Sequence, residues 1–117
     1  MRKTTIVLLS LLVVNISYCQ SRISIDSVAQ HIGDSVTVCA KVYGVKTTSN
    51  ITFMNMGAAY PHAPLTVLIF TKDIANFKIA PYDLYNDKKV CVTGKLIDYK
   101  GKPEIIITGP AQVELDK

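Results

Sequence analysis

The stretch "KKVCVTGKLIDYKGKPEIII", residues 88–107, constrains this chain more than any other. Val90, Val92, Gly94 and Leu96 alternate with Lys89, Cys91, Thr93 and Lys95. That period of two marks a strand with one buried face. Tyr99-Lys100-Gly101-Lys102 supplies a turn, and residues 103–109 read as the returning strand. The same rhythm occupies residues 35–45, "SVTVCAKVYGV". There Val36, Val38, Ala40 and Val42 share one face, and Thr37, Cys39, Lys41 and Tyr43 the other. Two more β-rich runs, "ITFMNM" (51–56) and "LTVLIFT" (65–71), follow a polar loop at 46–50 and flank a Gly- and Pro-bearing loop at 57–64.

Two segments break the β pattern. Residues 25–32 carry Ile25, Val28, Ala29 and Ile32, with Asp26 or Ser27 as caps and Gly33 as a stop, which gives one or two helical turns. In 72–87, Ile74, Phe77 and Ile79 suit a short helix or turn over a barrel end, with Pro81 limiting its length. Residues 110–117 read as a short tail. The order is thus a short N-terminal helix, three strands, a short helical connection and a two-strand hairpin. Five strands with an insertion between the third and fourth give an all-β, five-stranded OB-fold Greek-key barrel. Gly94 inside a strand fits a bend where a side chain would crowd.

Before that domain the chain reads as a signal peptide, residues 1–19. Arg2 and Lys3 form a basic start, Ile6 to Val14 is apolar apart from Ser10, and Ser17-Tyr18-Cys19 fits a cleavage site. A membrane anchor is the alternative, but the run is about half the roughly 20 residues a span requires. Lipidation of Cys19 is another alternative, against which bulky Tyr18 argues. The expectation is one OB-fold domain over 20–117, exported to the periplasm or secreted, with no membrane span in the mature chain. Without Arg2 and Lys3, the 13 basic residues fall to 11 against 9 acidic, so the formal charge drops from +4 to +2. A balance this close to neutral does not by itself point to nucleic acid.

The segments "HIGDSVTVCAKV", "TFMNMGAAYP", "LTVLIF" and "KVCVTGKLIDYKGKPEIII" together resemble a group of small bacterial OB-fold domains of nucleic-acid-binding type, over residues 25–115. Ala40 stands where that pattern prefers Gly, and Met54 and Met56 where Leu is usual. The resemblance implies the fold first and nucleic-acid binding second.

Cys39 and Cys91 fall in the first and fourth strands, neighbours in an OB barrel, and alternation sends both to the outer face. An oxidising compartment then favours a disulfide over two free thiols. The two cysteines and the distant His31 and His62 lack metal-ligand spacing, so no metal or other cofactor is expected. Catalysis finds no support either. No Ser, Cys or Thr has an evident His and acid partner, and Asp73, Asp83, Asp87, Asp98 and Glu104 occur singly.

In OB folds, ligands cross the second and third strands between the first-to-second and fourth-to-fifth loops. Here those loops are 44–50 and 98–103. They offer Lys46, Tyr99, Lys100 and Lys102, with Lys41, Tyr43, Asn55 and Lys72 nearby. Single-stranded DNA or RNA would stack on the aromatics and pair its phosphates with the lysines. For Tyr99, Lys100 and Lys102 a solvated hairpin is the first reading and a ligand contact the second. Phe53 and Phe70 are expected to pack in the core or sheet. Tyr60 and His62, in "GAAYPHAP", are further binding candidates. The preferred reading there is a Pro-rigid loop with Tyr60 packed on a barrel end and Asn55 bonding the loop backbone. The reading is a non-enzymatic binding module for single-stranded nucleic acid. A protein, glycan or small ligand on the same face is the second class. Nucleic acid predicts Lys41, Lys46, Lys72, Lys100 and Lys102 on one continuous surface.

Overall fold

The computed structural model describes residues 21–116, so the signal-peptide reading of residues 1–19 lies outside the described residues. The described residues form seven strands: β1 Ser21–Ile23, β2 Ser35–Thr47, β3 Ile51–Met56, β4 Leu65–Phe70, β5 Lys89–Tyr99, β6 Lys102–Ile106 and β7 Val113–Leu115. Five of them close a ring in the order β2-β3-β4-β6-β5, with β5 returning to β2. The β4–β6 pair is parallel and the other four contacts are antiparallel. This is the OB barrel expected from the strand order.

The ring closes because two long strands each serve two partners. The first half of β2 pairs with β5 through Ser35–Lys41, and its second half pairs with β3 through Val42–Thr47. The bend is a bulge between Val42 and Val45, where three residue steps of β2 face two of β3. β5 turns likewise, from β2 to β6, just after Gly94. A Cβ at Gly94 would lie 2.6 Å from Ile105 Cγ2. The barrel therefore bends where the absence of a side chain lets β6 approach.

Alternation fills the interior. Val36, Val38, Val42, Met54, Met56, Leu65, Val67, Ile69, Val90, Val92, Leu96 and Ile105 are fully buried. The first-to-last closure carries the disulfide. Cys39 and Cys91 sit directly opposite in the β2–β5 register, with Cα atoms 4.0 Å apart, and are bonded. The neighbouring outer pair, Thr37 and Thr93, shares a 2.8 Å hydroxyl hydrogen bond.

Several expectations change. The N-terminal helical segment is a 3-10 helix, Ile25–Gln30, capped by Ser24, whose hydroxyl accepts from the Asp26 N–H; neither Asp26 nor Ser27 is the cap. The connection holds two short helices, α1 Thr71–Ile74 and α2 Pro81–Tyr85. Pro81 opens α2, where its missing N–H is harmless, instead of limiting a helix. Phe77 and Tyr85 are buried against the barrel, while Ile79 is exposed. The tail contains β7, which pairs with β5 and buries Val113. β1 adds a parallel edge strand on β2. No helix among the described residues is long and apolar enough to cross a membrane.

Candidate nucleic-acid interface

The outer face of β3, β4 and β6 is laid out by register. Asn55 pairs with Thr66, and Thr66 with Glu104, giving one polar row across three strands. Two residues along, Lys46 pairs with Phe53, Phe53 with Leu68, and Leu68 with Ile106. A third row pairs Ile51 with Phe70. These residues alternate with buried Thr52, Met54, Met56, Leu65, Val67 and Ile69, so they face outward.

Loops raise walls around this floor. The 57–64 loop starts at Gly57, at φ +89°, where a Cβ would meet Pro64 Cγ at 2.7 Å and Ile25 Cγ1 at 2.9 Å. The two ends of the loop thus pack closely together, and Tyr60 between them stays 76% exposed. The hairpin turns at Lys100 and Gly101, both with positive φ, the backbone of a tight two-residue turn. The turn sets Tyr99 opposite Lys102. The Lys102 ammonium lies 5.6 Å from the Tyr60 ring centroid and so links hairpin to loop. Together these parts enclose an open cleft of about 450 Å³, lined by Lys46, Thr48, Phe53, Asn55, Tyr60, Pro61, Ala63, Thr66, Tyr99, Lys102 and Glu104.

Five of the ten sequence candidates thus meet in one cleft: Lys46, Asn55, Tyr60, Tyr99 and Lys102. Lys100 stands beside it, its ammonium 5.4 Å from the Tyr99 ring. Lys72 lines a second, shallower recess with Ser49, Asn50, Phe70 and Thr71. Phe70 and Phe53 face the same side of the β3–β4 pair, so this recess lies along the same face. Lys41 and Tyr43 stack on each other at 5.0 Å at the β2 bend, outside both depressions. The side chain of exposed His62 does not line the cleft, and its backbone N–H closes a turn onto Ala59. The five lysines do not all meet in one cleft.

The expected packing of Tyr60 on a barrel end is corrected by its exposure. Asn55 does not bond the loop backbone: its Oδ1 accepts from the Thr66 hydroxyl at 3.4 Å. Phe53 is half-buried and lines the cleft instead of entering the core. Its position was foreshadowed by Asn55, two residues on and therefore on the same strand face. Glu104 was seen in the sequence only as an isolated acid. It is 8% exposed, and burial pushes its carboxyl upward while Lys102 draws it partly back.

Cys39, Cys91 and Asp116 also lie within 4.8 Å of one another, but both sulfurs are held in the disulfide. Neither sulfur is then a thiolate able to ligate a metal.

Solved structures share this architecture. The chain is similar to an aspartyl-tRNA synthetase from Entamoeba histolytica, with a TM-score of 0.60 and 12% identity over 85% of this chain. It is similar to a putative aspartyl-tRNA synthetase from Leishmania major Friedlin, with a TM-score of 0.56 and 8% identity over 87% of this chain. It spans 22% of each synthetase chain. A looser likeness, with a TM-score of 0.43 and 21% identity over 84% of this chain and 73% of the other, is to Replication protein A of U. maydis bound to single-stranded DNA. No protein-family model matches the chain, and no match was found among curated proteins.

Proposed function

We propose that this protein is an exported OB-fold module of the small bacterial type that binds single-stranded DNA or RNA in the β3–β4–β6 cleft, without catalysing a reaction. One observation carries the reading: Phe53, Tyr60 and Tyr99 gather around one open depression with Lys46 and Lys102 in its lining. Aromatic faces stack on bases of any identity, and ammonium groups meet the phosphates between them. The export part rests on the signal-peptide pattern of residues 1–19, and the disulfide agrees with an oxidising compartment.

The test is fluorescence anisotropy of the oxidised 20–117 protein with labelled single-stranded DNA and RNA, from about 20 to 200 mM salt. Each phosphate contacted contributes about −0.7 to the log–log salt slope. Two cleft lysines, with Lys100 beside them, give an expected slope between about −1.4 and −2. No binding at the lowest salt overturns the reading and directs the search to glycans and proteins.

A further inference from the structure

The aromatic walls of the cleft do not distinguish one base from another. Its floor can, because the floor carries a carboxylate. We propose that Glu104 makes the cleft selective for bases that present an exocyclic amine, with cytosine preferred over uracil; the proposal rests on the cleft being the seat of single-stranded nucleic acid.

The register places Glu104 at the end of the row Asn55–Thr66–Glu104, between the Tyr60 loop and the Tyr99 hairpin. Its neighbours leave it without a strong internal partner. The Thr66 hydroxyl donates to Asn55. Glu104 takes part in neither ion pair of the described residues, His31–Asp34 and Lys89–Asp116. Lys102 acts on it through space, with its ammonium over the Tyr60 ring.

An ionised carboxylate only accepts hydrogen bonds. In a groove for polyanions it repels every phosphate, so its presence there works against general affinity. A base that offers N–H to it recovers that loss through a charge-assisted hydrogen bond. Cytosine presents N4–H₂ at the position where uracil presents a carbonyl oxygen. Uracil sets its O4 against the carboxylate there and offers only a single N3–H, flanked by two carbonyl oxygens that the carboxylate repels, so it pairs with the floor less well. The same carboxylate therefore favours one pyrimidine over the other.

The experiment compares labelled ten-nucleotide dC and dU oligomers, which share ring size and backbone, by anisotropy at neutral pH and about 50 mM salt. A single charge-assisted bond gained by dC implies about tenfold tighter binding than dU. Glu104→Gln, whose amide both donates and accepts, brings the two affinities to within about twofold. An oligomer of N4,N4-dimethylcytosine, which lacks the N–H, binds the unmodified protein as weakly as dU; this arm needs no protein variant. Equal binding of dC and dU by the unmodified protein overturns the proposal and leaves the cleft reading intact. A dC preference that survives Glu104→Gln, or that the dimethyl base retains, overturns it as well. Failure of every oligomer to bind overturns both readings together.

Discussion

Reducing the Cys39–Cys91 bridge tests how the barrel is closed. The bonded residues are 52 positions apart, so the bridge confines roughly half of the described chain when it unfolds. Loop-closure entropy for a loop of that length amounts to about 4 kcal/mol at 25 °C. Native strain on reduction should be small, because the β2–β5 ladder holds Cys39 opposite Cys91 and the Thr37–Thr93 bond holds the next outer pair. The effect then falls on the unfolded chain. For a domain of this size, 4 kcal/mol corresponds to about 16–32 °C in Tm. The assay is urea unfolding followed by circular dichroism, with and without a thiol reductant. The midpoint is expected to fall and the m value to rise, because the reduced unfolded chain expands further. Coincident curves, with neither midpoint nor slope changed, would refute the closure argument.

Gly94→Ala should destabilise the domain by about 1–3 kcal/mol, because the added methyl meets Ile105 Cγ2 at 2.6 Å beside a fully buried side chain; urea midpoints measure this, and a neutral result would show that β6 shifts freely. Tyr60→Ala and Tyr99→Ala should each weaken oligonucleotide binding by about 1–3 kcal/mol with little change in stability, since both rings are mostly exposed; unaltered affinity in both would place the ligand elsewhere. Lys102→Ala should flatten the salt slope by about 0.7, read from the same titrations. Glu104 gives a pH signature. Its folded pKa is raised by burial, so the folded state holds the proton more tightly. Its favourable contribution is complete below the unfolded value near 4.5 and is lost as pH rises through the folded value. Glu104→Gln should therefore gain stability relative to the unmodified protein as pH rises from about 4.5 through the raised folded value. A constant difference across that range would contradict it.

The barrel was legible because alternation survives wherever one face is buried and the other is wet, as in 35–42 and 89–96. It faded where the outer face also carries apolar side chains. Ile51, Phe53, Met54 and Met56 are all apolar, so β3 showed no clear inside until the register placed Thr52 inward and Asn55 outward. The edge strands β1 and β7 were missed because three-residue segments carry no period. The cleft was half visible. Lys46, Tyr99 and Lys102 follow from the usual loops of the fold, but the long-range pairing Thr66–Glu104 brings an acid 38 residues downstream onto the floor. No local spacing encodes that contact. Tyr60 stands exposed in a loop whose ends, Gly57 and Pro64, pack closely together, a contact that composition alone does not display.

The edge strands also set how the module is handled by whatever is joined to it. β1 enters alongside Val36, and β7 leaves beside Val90. Lys46, at the cleft, is ten residues further along β2 than Val36, about 33 Å of strand contour. A tether attached to β1 or β7 therefore holds the domain by the β2–β5 sheet, since neither strand pairs with β3, β4 or β6. Held through β1 or β7, on a bead or on a larger particle, the domain would keep the strands that line its cleft free to meet a passing strand.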